Sequence, residues 1–323
     1  MIPNLPANIP PLKVLKDHRD AIRGIHVDDR YLYSWGKGYV PEGHSYPLDM
    51  VFVYEKGRDF RLDGMLVGFG QDIFCLTSDS SRIFVGGGGG KDLTGYRFSV
   101  LRVYDKETQL LKQDEGGDEY RATALIHDGE HLYMGTSDGT IIVHDIATLR
   151  EEKTLFGHRD AWTDADHLFV DQEYLYAPGS KKNVKLWDKK TLNDAASLEG
   201  HGDDVKAVIS GQGRIVAACR DGTITFWDAR SREKLVTVAA HVGIVHSIVM
   251  EGEHLFTCGA DKTIKLWNMQ TAREMLSFTA NGKMATTLAI DSTHLYVGLD
   301  DGSLAIWKIG DIIGAVPPQS QNR

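Results

Sequence analysis

Cysteine is scarce in this 323-residue chain: Cys75, Cys219 and Cys258 are the whole complement, too few for a disulfide framework. There is no Asn-x-Ser/Thr triplet to accept an N-linked glycan. No apolar run is long enough to span a bilayer, and the opening MIPNLPANIPP lacks the basic start and apolar stretch of a secretory signal. Positive charge is in deficit as well. The chain has 36 Lys+Arg against 45 Asp+Glu, a net −9, whereas a nucleic-acid groove or a membrane-binding patch needs clustered bases. These absences predict an intracellular, cytoplasmic protein with neither nucleic acid nor membrane as a partner. Hydrophobic residues at 42% and charged residues at 25% are an ordinary globular mixture, and the length admits two average domains or one large all-β domain.

A repeat dominates what is present. Trp187, Trp227, Trp267 and Trp307 follow one another at 40-residue intervals, inside NVKLWD, TITFWD, TIKLWN and SLAIWK. His144 in TIIVHD, Tyr104 in VLRVYD and Tyr54 in MVFVYE continue the series toward the N-terminus at steps of 43, 40 and 50 residues, making seven equivalent positions. A second register runs in phase, through Leu32-Tyr33-Ser34, Ile83-Phe84-Val85, Leu132-Tyr133-Met134, Leu175-Tyr176-Ala177, Ile215-Val216-Ala217, Leu255-Phe256-Thr257 and Leu295-Tyr296-Val297. Turn signals such as Asp138-Gly139 and Asp221-Gly222 separate the two registers, and Asp and Gly both tolerate the positive φ of tight hairpins. No segment carries a long helical period. Each unit therefore reads as several short strands that cannot bury their own faces and must stack on neighbours. Radial stacking closed into a ring does this with only short exposed edges.

The units resemble those of the WD-repeat family of β-propellers, through Gly157-His158 with Leu186-Trp187-Asp188, Gly200-His201 with Phe226-Trp227-Asp228, and Ala240-His241 with Leu266-Trp267-Asn268. The resemblance extends over residues 12–309. It implies an all-β, seven-bladed propeller of four-stranded blades over residues 12–310, an N-terminal extension over 1–11 and a C-terminal tail over 311–323. The last unit ends without an outer strand and residues 12–18 precede the first, so the N-terminal strand is expected to close the ring. The tail is expected to be largely dispensable.

The same resemblance implies a buried polar network in which a turn His, a strand Ser/Thr, a hairpin Asp and the Trp bond together. His241, Thr257, Asp261 and Trp267 form the fullest set. His201, Asp221 and Trp227 are accompanied by Ala217, His158 and Trp187 by Ala177 and Lys181, and Asp301 and Trp307 by Val297. Tyr54, Tyr104 and His144 replace Trp in the first three blades, which are expected to rely more on apolar packing.

Several patterns imitate active sites. Gly135-Thr136-Ser137-Asp138-Gly139 fits a nucleophile elbow, but that motif needs a strand-to-helix turn and this one reads as a hairpin. The glycine run 86–90 followed by Lys91 has Val85 and Asp92 where a phosphate loop needs Gly and Ser/Thr, and reads as a hairpin insertion. His127 and His131 converge only on a helix, while His131, His254 and His294 each lie 13 residues before a Trp-position residue and read as one repeated scaffold site. No metal or cofactor set emerges. The chain is read as a non-enzymatic scaffold that binds one or more proteins or peptides, with a propeller enzyme bearing an axial site as the distant alternative.

A nearer alternative comes from Trp227-Asp228-Ala229-Arg230 and Trp187-Asp188-Lys189-Lys190. These resemble the WD-x-[R/K] signature of substrate receptors of cullin–RING ubiquitin ligases, in which the basic residue, here Arg230 or Lys190, contacts the ligase adaptor. For the scaffold reading, the family's Gly-His turns and the hairpins before the Trp strands share one face. Enlarged hairpins over 36–48 and 86–97 would rise there from neighbouring blades. They carry Lys37, Tyr39, Lys91, Asp92, Tyr96 and Arg97, and Arg19, Asp20, Trp35, Arg159, Asp160, Asp203, Asp204 and Arg220 complete the expected partner-binding set.

Overall fold

The structure is a computed structural model that describes residues 9–37, 49–66, 72–88, 99–116, 120–156, 167–179 and 182–317. Short β-branched and aromatic segments pair with their sequence neighbours into seven four-stranded antiparallel sheets. Blades one to seven begin at Ile22, Ile73, Ala122, Phe169, Val205, Val245 and Ala285. Tight hairpins make this local pairing possible, and Gly139, Gly222 and Gly302 supply the positive φ at the turns before the third strands. The Gly135–Gly139 pattern is one such hairpin, where the Thr136 hydroxyl bonds the Asp138 carboxylate. The core lies between blades as well as within them: Tyr33 and Val51 of blade one pack with Ile73 and Val85 of blade two.

Ring closure follows the expected route. Lys13–Leu15 pairs with the last strand in the register Lys13↔Ile306 and Leu15↔Leu304. The Trp307 indole N–H donates to the carbonyl of Ile9 at 3.0 Å, filling the place of the hydroxyl that Val297 lacks. One further element joins this blade. A short helix, Ile309–Gly314, buries Ile309 and Ile312 in the same cluster as Ile9 and Trp307. The expected division at residue 310 thus falls inside a packed helix. Ile312 has no exposed surface, so the segment after 310 contributes to the core, as the extension before residue 12 does through Ile9.

The expected His–Thr–Asp–Trp network forms completely in blade six. The Trp267 indole N–H donates to Thr257 Oγ1 at 3.0 Å, Thr257 Oγ1 meets His241 Nε2 at 2.7 Å, and His241 Nδ1 meets Asp261 Oδ1 at 2.9 Å. Since Asp261 only accepts, Nδ1 carries the proton and Nε2 accepts from the threonine. Burial lowers the His241 pKa, which keeps the ring neutral. In blade five Ala217 supplies no hydroxyl. His201 Nδ1 turns instead to the carbonyl of Lys182 at 2.9 Å, and His201 Nε2 and Trp227 Nε1 are both buried without a partner.

The expectation that the early blades depend on apolar packing is corrected for blade one, and a second polar feature reaches blade three on the opposite face. In blade one, His18 Nε2 meets Ser34 Oγ at 2.7 Å and the Tyr54 hydroxyl donates to Asp17 at 3.0 Å. On the opposite face, an aspartate at the first hairpin of four blades caps that turn and accepts the hydroxyl of Tyr33, Tyr133, Tyr176 or Tyr296. Lysines from the next blade complete three of these sites: Lys106 lies 2.8 Å from Asp28, Lys189 3.2 Å from Asp128 and Lys56 2.7 Å from Asp291. Each lysine also bonds a main-chain carbonyl of its own blade, so it ties two blades together. Burial pushes the Asp28 carboxyl up, but Lys106, the Tyr31 and Arg30 N–H groups and Ser78 outweigh it and bring its pKa down to about 2. These blades are polar-bonded to their neighbours, whereas blade six is bonded chiefly within itself.

Candidate protein-interaction site

The face carrying the His18, His201 and His241 turns surrounds the mouth of an axial channel of about 780 Å³. The innermost ladder of six blades is interrupted by a register shift at the same place, between Ile22/Gly24, Ile73/Cys75, Ala122/Ala124, Val205/Ala207, Val245/Ser247 and Ala285/Thr287. A β-bulge re-aims the extra residue. The extra residues are Arg23, Phe74, Thr123, Lys206, His246 and Thr286, and all six line the channel. Deeper walls are apolar, with Ile25, Leu76, Leu125, Ile248 and Leu288. The mouth is therefore a rim of mixed polar, cationic and aromatic side chains above a hydrophobic shaft.

Its charges are held in place. Arg23 lies 3.2 Å from both Asp49 and Asp72, and Asp49 also accepts the Ile73 N–H at 2.7 Å. The imidazoles nearby are neutral near pH 7: burial lowers His246, and burial followed by the Lys206 charge lowers His167 to about 4. No group of three or more His, Cys, Asp or Glu residues able to hold a metal occurs among the described residues. On the far side of the ring, Ser78 Oγ lies 3.0 Å from His26 Nε2 and donates to Asp28 at 2.7 Å. This trio looks catalytic in composition, but the serine proton points at the carboxylate rather than at the imidazole, and Ser78 is buried.

Of the residues expected to bind partners, Arg19, Asp20 and Arg220 are exposed, and Asp203 and Asp204 are half-buried. Blade five brings three together: the Asp204 carbonyl accepts the Arg220 N–H at 2.9 Å, and Asp203 lies 3.6 Å from Lys182. Lys37 ends a strand opposite Asp49, with only its backbone described. Tyr39, Lys91, Asp92, Tyr96, Arg97, Arg159 and Asp160 lie outside the described residues, as does His158 of the expected network.

Trp35 requires a correction. It is 5% exposed and does not reach the loop rim, lying instead in the wall of the axial channel. The equivalent positions in the other blades are Gly86, Gly135, Pro178, Ala218, Cys258 and Gly298, all small or compact. Trp35 fits because Gly24 stands opposite it, and a Cβ on Gly24 would strike the indole ring.

The bulge residues escaped sequence reasoning, although Arg23, Lys206 and His246 each fall five residues after His18, His201 and His241. The interblade lysines were also missed, although all three lie two residues after a Trp-position residue.

Comparison with known proteins supports the repeat. The family model described as WD domain, G-beta repeat matches residues 193–228 and 232–268, covering the outer strand of blade four, blade five and the first three strands of blade six. No curated protein sequence matches the chain. Among solved structures, the computationally designed Ika8 protein superposes with a TM-score of 0.69 at 20% identity, covering 93% of this chain and 100% of its own, a likeness of fold alone.

Proposed function

We propose that this seven-bladed β-propeller, with WD40 repeats matched over residues 193–228 and 232–268, is a non-enzymatic scaffold whose loop face and axial mouth bind a partner protein or peptide. The observation that carries this reading is the set of aligned bulges, which places six side chains of five kinds around one opening. A mixed rim over an apolar shaft suits a protein segment that inserts an apolar side chain and is oriented by polar contacts. The enlarged hairpins over 36–48 and 86–97 would widen the same surface.

The test is affinity capture from the native host followed by mass spectrometry, using the full chain and folded variants. Phe74→Ala and Lys206→Glu alter the mouth, Tyr96→Ala and Lys91→Ala alter a loop, and further variants reduce each enlarged hairpin to Asp-Gly. Loss of the same partners from mouth and loop variants supports the reading. Folded variants that retain the full set sink it. Arg230 and Lys190 are exposed on the opposite face. Recovery of ligase adaptors that disappears with Arg230→Ala or Lys190→Ala would favour the ubiquitin-ligase receptor instead.

A further inference from the structure

The outer strand of each blade has one row of main-chain N–H and C=O groups without a ladder partner, and proteins blunt such edges with charge, bulges or covering side chains. Here a turn residue with left-handed φ, five positions after the Trp site, reaches back onto the rim of the preceding blade. Gln109 (φ 57°) donates to Asp63 at 3.1 Å and lies over Gly64. Arg232 (φ 61°) donates to the carbonyl of Ala195 at 3.1 Å. Leu149 and Leu192 pack into the clusters of blades two and three. In blade six the same position is Ala272 (φ 54°), which has nothing beyond Cβ to extend over blade five.

The rim left uncovered is Lys234–Ala239, with the sequence KLVTVA, and none of its six residues is buried. Leu66, Leu155, Leu198 and Phe278 anchor the outer strands of blades one, three, four and six. Blade two's outer strand, LKQDEG, is defended by charge. On blade five, Leu235 and Val236 are 47% and 38% exposed, on a β-branched strand with one charged residue at its start. This edge is open, apolar and built for pairing.

We propose that the outer strand of blade five is a strand-addition site. Its occupant is an extended segment of another protein, with alternating β-branched residues and carboxylates at its C-terminal end, added antiparallel to Lys234–Ala239. The unpaired main-chain row admits only an extended guest. Leu235 and Val236 offer apolar contact. Arg230 is an exposed base at the N-terminal end of the strand, where an antiparallel guest ends, and Lys234 begins the strand with its ammonium donating to the Gly200 carbonyl at 2.8 Å. Arg230 has no acidic partner within ion-pair distance among the described residues. The site goes beyond the loop-face reading and stands or falls separately from it.

The probe is a short synthetic peptide of alternating valine and threonine ending in two glutamates, with a mid-strand proline version as control. Fluorescence anisotropy should show saturable binding of the first and not the second, with slowed amide exchange over Val236–Val238. Ala272→Arg, which gives blade five the cover that Arg232 gives blade four, and Val236→Lys should each weaken binding about tenfold or more, equivalent to ~1.4 kcal/mol, in a protein that still melts normally. Arg230→Glu with Lys234→Glu should weaken it in a salt-dependent way. Binding that ignores Ala272→Arg and Val236→Lys, or no protection over Val236–Val238, overturns the proposal. A concentration-dependent dimer abolished by Ala272→Arg would show that a second copy is the occupant, and overturns it equally.

Discussion

Blades five and six hold the same three polar residues at the same places, yet one makes a continuous network and the other does not. The difference is one hydroxyl. Thr257 passes a hydrogen bond from Trp267 to His241, and with Ala217 in its place both Trp227 Nε1 and His201 Nε2 are left buried without partners. Networks of this kind depend on every member, because a buried donor without an acceptor forfeits its solvation. A repeat motif therefore records where polar atoms stand, and its stability depends on whether the linking atom is present.

Trp267→Ala should have the largest effect on this comparison, about 3–5 kcal/mol by denaturant melting, because it removes a buried aromatic as well as a donor. A loss below 1 kcal/mol would show that the network contributes little. Thr257→Ala turns blade six into a copy of blade five and should cost about 1–3 kcal/mol, the usual range for stranding buried polar groups. Asp261→Ala strands His241 and the hairpin N–H groups and should cost more than Asp301→Ala, since Asp301 is itself more exposed than Asp261 and its ion-pair partner Lys283 lies at the surface. Equal losses at the two aspartates would mean that network completeness does not differ between blades. The reverse change, Ala217→Ser, should stabilise blade five by about 1 kcal/mol if the new hydroxyl bridges Trp227 and His201. No gain would place the cause in the His201–Lys182 contact instead.

Acid acts on both kinds of network. Burial lowers His18 and His26 to about 4 from an ordinary 6.5, with Asp28, His127 and Lys106 as smaller influences on His26. The unfolded chain thus binds more protons between these values, and the stability from keeping the rings neutral declines as pH falls from about 6.5 to 4. Asp28 and Asp128, held at about 2, add a further loss below pH 4. Urea midpoints should be level above pH 7 and fall between pH 6.5 and 5, with a smaller fall in His18→Gln. A flat profile across that window would contradict the buried, neutral assignment.

The fold was legible because the Trp positions, the Asp-Gly turns and the missing outer strand are local or periodic signals. Less of the site was. Trp35 looked available because sequence spacing does not reveal that Gly24 lies across the ladder from it. Lys56, Lys106 and Lys189 give no local signal because their aspartates belong to the preceding blade. Bulges shift a register by one residue without changing composition, so the aim of Arg23, Lys206 and His246 is a property of pairing rather than of pattern. Periodicity reports what one blade does, and the missed features all depend on two strands or two blades.

Ring closure also sets a timetable. The carbonyl of Ile9 and the indole of Trp307 that bind each other are 298 residues apart in the chain. At ~5–20 residues per second of synthesis, the first of them waits roughly 15–60 s for the second. Throughout that interval the growing ring is an arc with two raw ends: the inner strand of blade one, and whichever blade has just emerged. The last blade lacks its outer strand until residues 13–15 return to it. Assembly of this protein is therefore exposed to mispairing for almost the whole of its synthesis, and completion is a single event at the end.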